Sequence, residues 1–258
     1  EYKSELIAYL SEGNEADNIQ AIYRLTALQQ GILFHTLYEK GTGAYINQMD
    51  LELEDLQKDL FLGTWEHIFQ QHSILRSGFY YDSFRIPVQC VYRRVSAPVE
   101  EIDLSGMDRR EQDETVAAFS RKDLRHDLDL KKPPLMRITL FLRGGRNYRV
   151  IWTIHHLIFD GWSGPVLMKE FLETYECLAM GKEPAKIPED LYEDHIRYLE
   201  RRDIEKDECY WRTYLTGVNH GTLLPFVSAG MDRNKSIQDF NAVVLQLDAR
   251  TARLINQY

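Results

Sequence analysis

Apolar residues recur along the chain in two spacings, one typical of helices and the other typical of strands. Helical spacing predicts helices over residues 26–40, 60–69 (after a cap at Asp55), 108–125, 163–178, 192–201 and 204–215. Alternation of apolar and polar residues, or short apolar runs, predicts strands over residues 49–53, 74–81, 87–94, 135–142 and 148–154. The glycines at 144 and 145 predict a hairpin between the last two strands, because such loops need positive φ.

The two ends of the chain give weaker patterns. Leu6, Ile7 and Leu10 have the spacing of a short helix, which residues 12–15 would break. Near the other end, Val243, Leu245 and Leu247 alternate as a strand would. Asp248 then follows as the cap of a helix that contains Leu254 and Ile255. This helix stops at Tyr258 without a C-terminal cap, which we interpret as a truncation.

Composition narrows the class of protein. The 258 residues are 44% hydrophobic and 28% charged, which is typical of a globular protein with a sizeable core. The formal net charge of −9 argues against nucleic acid as a partner, since no basic stripe could neutralise phosphates. No apolar run is long enough to span a bilayer and no signal peptide opens the chain, so neither a membrane partner nor secretion is expected. Cys90, Cys177 and Cys209 lack ligand spacing and are expected to be reduced thiols of a cytoplasmic protein.

The strand over residues 148–154 leads to the most informative residues, the adjacent histidines His155 and His156. Neighbouring side chains on a strand point to opposite faces, so one imidazole should enter the interior and the other should look outwards. Two histidines that face opposite ways do not easily bind one metal ion, and we expect no metal here. An outward imidazole at a strand end, followed by Asp160 and Gly161, suits proton handling or substrate positioning instead.

Four stretches carry a resemblance to a known family. The run HHLIFDG, from His155 to Gly161, resembles the HHxxxDG signature of the condensation domains of nonribosomal peptide synthetases. LTALQQGILFH, from Leu25 to His35, resembles the first motif of that family. HSILRSGF, from His72 to Phe79, resembles the second, with Gln71 where the family usually has arginine. The downstream YxDxxxW region is matched in part by Tyr192-Glu193-Asp194, Tyr198 and Tyr210-Trp211.

The resemblance implies a fold and a division of the chain. The implied fold is an α/β (α+β) two-layer sandwich, the chloramphenicol-acetyltransferase-like lobe, with helices packed on a mixed sheet. Residues 1–23 would be a lead-in linker from an upstream carrier domain, and residues 24–181 the N-terminal condensation lobe. Residues 182–258 would be the crossover and a truncated start of the C-terminal lobe, because the later motifs of the family are absent.

The resemblance also implies an activity, which is acyl transfer in antibiotic or siderophore biosynthesis. A condensation domain joins a carrier-bound aminoacyl or peptidyl thioester to the amine of a second carrier-bound aminoacyl thioester. The implied partners are the upstream and downstream peptidyl carrier domains, an adjacent adenylation domain and the rest of the C-terminal lobe. No cofactor would be bound covalently to this chain, and 4'-phosphopantetheine would arrive on the carriers.

The resemblance also implies roles for individual residues. His156 would be the catalytic base or would position the amine, and His155 would support the turn by packing. Asp160 would form an ion pair with Arg76, because a buried charge needs a partner. Gly161, Trp162 and Ser163 would line the substrate tunnel.

Alternatives remain at this point. A related coenzyme A-dependent acyltransferase would share HHxxxDG without the stretch from Leu25. An epimerisation domain usually has a small residue after the Asp-Gly pair, where this chain has Trp162. A catalytically incomplete fragment that only docks carriers is the alternative of another class. Gly31, Phe34, His35, Tyr45 and Gln48 are closer to the subtype that accepts a donor with a D-configured terminal residue.

Overall fold

The computed structural model describes residues 16–186, 192–218 and 245–255. These residues fall into two compact units, which cover residues 1–209 and 210–258. The apolar positions at 6, 7, 10 and 243, and residues 187–189 of the predicted crossover, lie outside the described residues.

The helices lie close to where the apolar spacing predicted them. They are α1 (Ala27–Tyr38), α2 (Lys58–Gln71), α3 (Arg109–Leu124), α4 (Ser163–Ala179), α5 (Tyr192–Glu200), α6 (Ile204–Tyr214) and α7 (Ala249–Ile255). Two short 3-10 helices cover Ala16–Asn18 and Ser73–Arg76. Capping boxes start α1 at Thr26 and Gln29, and α3 at Asp108 and Glu111, which satisfies N–H groups that would otherwise lack partners.

Seven strands form two sheets within the described residues. The strands are β1 (Ile19–Arg24), β2 (Ile46–Leu53), β3 (Ser77–Tyr80), β4 (Val88–Tyr92), β5 (Val99–Asp103), β6 (Met136–Gly144) and β7 (Asn147–His155). One sheet has the order β1-β4-β3 and is antiparallel, and the other has the order β2-β7-β6-β5. In the second sheet β5 runs parallel to β6 while the other pairs are antiparallel. The mixed sheet with helices packed on it confirms the predicted fold class.

The main core lies between the four-stranded sheet and the helices α2 and α4. Its centre is aromatic: the ring centroids of Trp65 and Trp152 are 5.4 Å apart, and Phe171 lies 5.1 Å from Trp65. Trp152 belongs to β7, the strand that ends in the histidine pair. This packing holds β7 rigidly against two helices, which is what a precise site at its end requires.

The structure corrects several predicted elements. Asp55 does not cap α2; it has a φ of 54° and α2 begins three residues later without a side-chain cap. The predicted strand over residues 74–81 starts as a 3-10 helix, and only Ser77–Tyr80 is extended. Strands β1 and β5 were not predicted.

The second unit contains α7 and the end of α6. Asp248 accepts hydrogen bonds from the N–H groups of Arg250 and Thr251, which confirms its predicted role as a cap. Residues 245–247 are irregular in the structure, so the described part of the predicted strand is wrong.

Candidate functional site

Strand β7 carries the histidine pair to the end of the sheet. His155 is its last residue and pairs with Ile46 of β2, and His156 follows immediately. His155 is 1% exposed and His156 is half-buried. The structure thus confirms that one imidazole enters the interior and the other does not.

His155 is a neutral, buried imidazole. Its Nδ1 accepts a hydrogen bond from the N–H of Leu157 at 3.1 Å, so the ring proton lies on Nε2, 3.4 Å from the hydroxyl oxygen of Thr36. Burial, together with the charge that His156 can carry, lowers the pKa of His155 to about 4. His155 therefore fixes the turn from inside and takes up no proton near neutral pH.

His156 is held in the other tautomer, with its ring proton on Nδ1. Its Nδ1 lies 3.1 Å from the carbonyl oxygen of Phe159, which can only accept, so Nδ1 carries the proton. Its main-chain N–H donates to the carbonyl of Tyr45 at 2.8 Å. Among the described residues, no hydrogen bond engages Nε2 of His156. The free lone pair on a half-buried, oriented imidazole is the arrangement that a general base requires.

Asp160 organises the start of α4. Its carboxylate accepts hydrogen bonds from the N–H of Ser163 at 2.8 Å and from the Ser163 hydroxyl at 2.6 Å. These bonds hold the pKa of Asp160 below its ordinary value. Ser163 is the first residue of α4, and the carboxylate of Asp160 satisfies its N–H.

Arg76 and Asp160 do not form the predicted ion pair. The guanidinium of Arg76 donates to the carbonyls of Phe69, at 2.8 Å, and Tyr92, and to the side chain of Gln20. No ion pair joins Arg76 to Asp160 within the parts of the chain that the structure describes. The predicted pair with Asp160 was wrong, because the guanidinium of Arg76 donates to main-chain carbonyls of α2 and β4 instead.

The predicted tunnel residues surround open space. A Cβ atom added at Gly161 would meet no other atom within 4 Å, and Trp162 is 86% exposed. Trp162, Ser163 and Asp160 line a cavity of about 380 Å³ between α4 and the 3-10 helix at 73–76. Its other walls are mostly apolar, and neither His156 nor Gly161 is among its lining residues. The structure therefore brings the residues at 160, 162 and 163 together and leaves His156 outside that cavity.

Gln29 is a residue of the site region that the sequence did not single out. Its buried side-chain amide donates to Gln89 at 3.1 Å and to the carbonyl of Leu157 at 3.3 Å. Its oxygen accepts from the N–H of Thr26 and from the hydroxyl of Tyr192. The amide thus uses its full hydrogen-bonding capacity to join α1, β4, α5 and the turn after His156. The position of Gln29 within the motif from Leu25 to His35 is the only sequence signal that could have indicated it.

Gln48 serves a different cluster. Its amide nitrogen donates to Thr153 at 3.1 Å and to Asp123 at 3.2 Å, and its oxygen accepts from Ser120. Asp123 also binds Arg137 at 2.6 Å. These bonds tie β2 and β7 to α3 below the histidines, so Gln48 supports the sheet rather than the surface of the site.

The described residues contain neither a metal-binding cluster nor a helix that could span a membrane. Within the described residues, no group of three or more His, Cys, Asp or Glu side chains is placed to hold a metal ion. The helices described are all too short or too polar to cross a bilayer.

The sequence matches a known protein family and several characterised proteins. The family model for the condensation domain matches residues 19–258. One of the linear gramicidin synthase proteins of Brevibacillus parabrevis is 31% identical over 237 residues, which are 92% of this chain and 5% of that protein. Bacitracin synthase 1 of Bacillus licheniformis is 30% identical over 227 residues, which are 88% of this chain and 4% of that protein.

Solved structures share the fold. The starter condensation domain of rhizomide synthetase RzmA superposes with a TM-score of 0.66 at 20% identity, covering 76% of this chain and 50% of that one. The first condensation domain of the calcium-dependent antibiotic synthetase, in complex with a substrate analogue, gives a TM-score of 0.61 at 22% identity, covering 76% and 48%. The chain thus spans about half the length of these solved domains.

Proposed function

Because the chain belongs to the condensation-domain family of nonribosomal peptide synthetases, we propose that it takes part in forming an amide bond between two carrier-bound substrates. The donor is an aminoacyl or peptidyl thioester, and the acceptor is an aminoacyl thioester with a free amine. The single observation that carries this proposal is the imidazole of His156, half-buried at the end of β7 with its Nε2 free of hydrogen bonds among the described residues.

The reaction forms one bond and breaks another. The acceptor amine attacks the donor carbonyl, the C–N bond forms, and the C–S bond breaks to release the donor's carrier thiol. The attacking nitrogen loses a proton, which ends on the sulfur of the leaving thiolate. Nε2 of His156 has the lone pair to carry that proton or to hold the amine by a hydrogen bond. The Nδ1–H bond to Phe159 keeps the lone pair on Nε2 and restrains the ring.

The neighbouring residues have supporting roles in this proposal. His155 stays neutral and anchors the turn, and Asp160 holds the turn against α4. The open space at Gly161 and the exposed ring of Trp162 fit the close approach of a narrow chain such as a phosphopantetheine arm, which would arrive on a carrier. In that role the arm supplies the thioester linkage, and Gly161, Trp162 and Ser163 would line its path.

The partners follow from the same proposal. Upstream and downstream peptidyl carrier domains would present the two substrates, beside an adenylation domain and the remainder of the condensation domain. We keep the proposed division into a lead-in at 1–23, an N-terminal lobe at 24–181 and the start of a C-terminal lobe at 182–258. Strand β1 at 19–24 would then join the end of the lead-in to the lobe.

The donor's stereochemistry is a finer part of the proposal. The stretch from Gly31 to His35, with Tyr45 and Gln48, resembles the subtype that accepts a D-configured terminal residue. We therefore expect faster transfer from a D-configured donor than from its L-configured counterpart.

The test uses the full-length protein with both carriers loaded, each donor configuration in turn, and dipeptide release as the readout. We expect His156→Ala to lower the single-turnover rate by about a hundredfold or more, since general base catalysis contributes ~10²–10⁴-fold. The fold should be retained. His126→Ala is the matched control, because its imidazole is exposed and distant in sequence from the signature.

The outcomes separate the alternatives. Undiminished dipeptide release from His156→Ala would contradict the proposal. A wild-type protein that returns an epimerised donor without an amide product would indicate an epimerisation domain instead.

A further inference from the structure

Tyr45 lies where β2 meets the histidine pair. It precedes β2 by one residue, and its main-chain carbonyl accepts the hydrogen bond from the N–H of His156 at 2.8 Å. Since Ile46 pairs with His155, this bond extends the β2–β7 ladder one residue beyond the end of the strand. The main chain of His156 is therefore held by β2 as well as by its own hairpin.

The side chain of Tyr45 also contacts the imidazole of His156. The two ring centroids are 6.3 Å apart, and the ring planes are nearly perpendicular, at 87°. His35 of α1 contacts Tyr45 in turn, with a centroid distance of 6.1 Å. Tyr45 thus lies between helix α1 and the imidazole, in an arrangement favourable for aromatic pairs.

Together with Phe159, Tyr45 restricts the rotation of the imidazole. The carbonyl of Phe159 holds Nδ1 at 3.1 Å. A broad two-fold torsion governs the orientation of a histidine ring, so one hydrogen bond on a half-exposed ring leaves considerable freedom. The Tyr45 ring supplies a second restraint, which leaves Nε2 as the ring nitrogen available to a substrate.

The backbone of Tyr45 is strained. Its φ is 59°, in the left-handed region that residues with a Cβ rarely adopt. The same loop uses glycine for this conformation at Gly41, with a φ of 71°, and at Gly43, with a φ of 75°. An aromatic residue kept where glycine would relieve strain is an observation that points to a use for its side chain.

We propose that Tyr45 is a positioning residue for His156, whose carbonyl sets the place of the imidazole and whose ring fixes its direction towards the acceptor amine. This inference rests on the proposed function. The ring, rather than the hydroxyl, performs this role, because the ring contact is what restrains His156.

Two substitutions in the full-length protein separate ring from hydroxyl. Tyr45→Phe keeps the ring, so the single-turnover rate should stay within about twofold of wild type. Tyr45→Gly removes the ring while accepting the positive φ, so the rate should fall by roughly tenfold to a hundredfold, the range expected when a reacting group is slightly misplaced. The KM for the acceptor should change little, because Tyr45 acts through His156. Tyr45→Asn, which tolerates the same backbone, repeats the ring loss if glycine unfolds the loop.

A second readout does not depend on turnover. In a ¹⁵N-histidine-labelled protein, the wild-type and Tyr45→Phe proteins should show His156 with its proton on Nδ1, and Tyr45→Gly should shift this signal towards an average of both tautomers. An unchanged signal and rate in Tyr45→Gly would overturn the inference, as would a Tyr45→Phe rate as low as that of Tyr45→Gly. If His156→Ala keeps full activity while Tyr45→Gly still alters the signal, the proposed function fails and the positioning of the imidazole stands.

Discussion

At the scale of single residues, the histidine pair could be predicted from the sequence and its partners could not. The period-two geometry of a strand predicts that the two imidazoles point to opposite faces, and the family resemblance indicates His156 as the functional one. The groups that fix the two tautomers are the N–H of Leu157 and the carbonyl of Phe159. Both are main-chain atoms, so no side-chain pattern indicates them, and their position depends on how the turn folds.

Arg76 illustrates the same limit. The ion pair that the resemblance implied assumed a buried Arg76, which is correct, and Asp160 as its partner, which is wrong. Main-chain carbonyls compete with carboxylates for a guanidinium, and only the three-dimensional course of the chain decides between them.

Substitutions of Asp160 test this correction. Asp160→Asn keeps an oxygen that can accept from Ser163, so the free energy of unfolding should change by less than about 0.5 kcal/mol. Asp160→Ala removes the acceptor and should cost about 1 kcal/mol, as the loss of a helix cap does. Chemical denaturation of the domain measures both. A loss of about 3 kcal/mol in Asp160→Asn would instead indicate that Arg76 depends on the charge.

The buried His155 makes stability depend on pH. Its pKa is about 4 in the folded protein and 6.5 ordinarily, so the unfolded chain takes up this proton first as the pH falls. This contribution to stability is complete above pH 6.5, is lost between pH 6.5 and about 4, and changes no further below that. The slope should reach about 1.4 kcal/mol per pH unit at most.

The variant His155→Gln isolates this effect, because glutamine does not titrate. Its melting temperature should fall less than that of the wild type between pH 7 and pH 5. His156→Gln is the matched control and should keep most of the wild-type dependence. Equal slopes in wild type and His155→Gln would show that another group is responsible.

At the scale of elements, helices were predicted better than short strands. The strong helical spacing of α3 and α4 gave their positions within a residue or two. Strand β5 was missed because its five residues include three acidic ones and lie at the edge of the sheet, where side chains need not alternate clearly. Its parallel pairing with β6 depends on α3 crossing between them, which is a property of the fold and not of the segment.

The side chain of Gln29 forms hydrogen bonds with several elements around the site. Gln29→Glu removes both amide donors and places a carboxylate against Gln89 and the carbonyl of Leu157, so we expect it to cost roughly 2–3 kcal/mol of stability. Gln30→Glu, on the exposed side of the same helix, should cost less than about 0.5 kcal/mol. The melting temperatures of the two variants provide the comparison. Equal melting temperatures would show that the buried amide is not important for stability.

At the scale of the whole molecule, the two compact units differ in how much they bury. The unit of residues 1–209 contains an extended aromatic and aliphatic core. In the second unit, no side chain of residues 210–218 or 245–255 is buried, and Tyr210, Trp211 and Tyr214 contact one another at its exposed surface.

Strand β2 forms one edge of the four-stranded sheet, with β7 as its strand neighbour in the described ranges. The exposed side chains at 50 and 52, and at 54 just beyond the strand, are all carboxylates, and Asp50 and Glu52 also bind arginines of β7 and β6. A second copy that added its own β2 to this edge would set acidic residues opposite acidic residues, which disfavours pairing. The acidic side chains of this edge, which also supports His156 through Tyr45, therefore disfavour its pairing with a second copy of the chain.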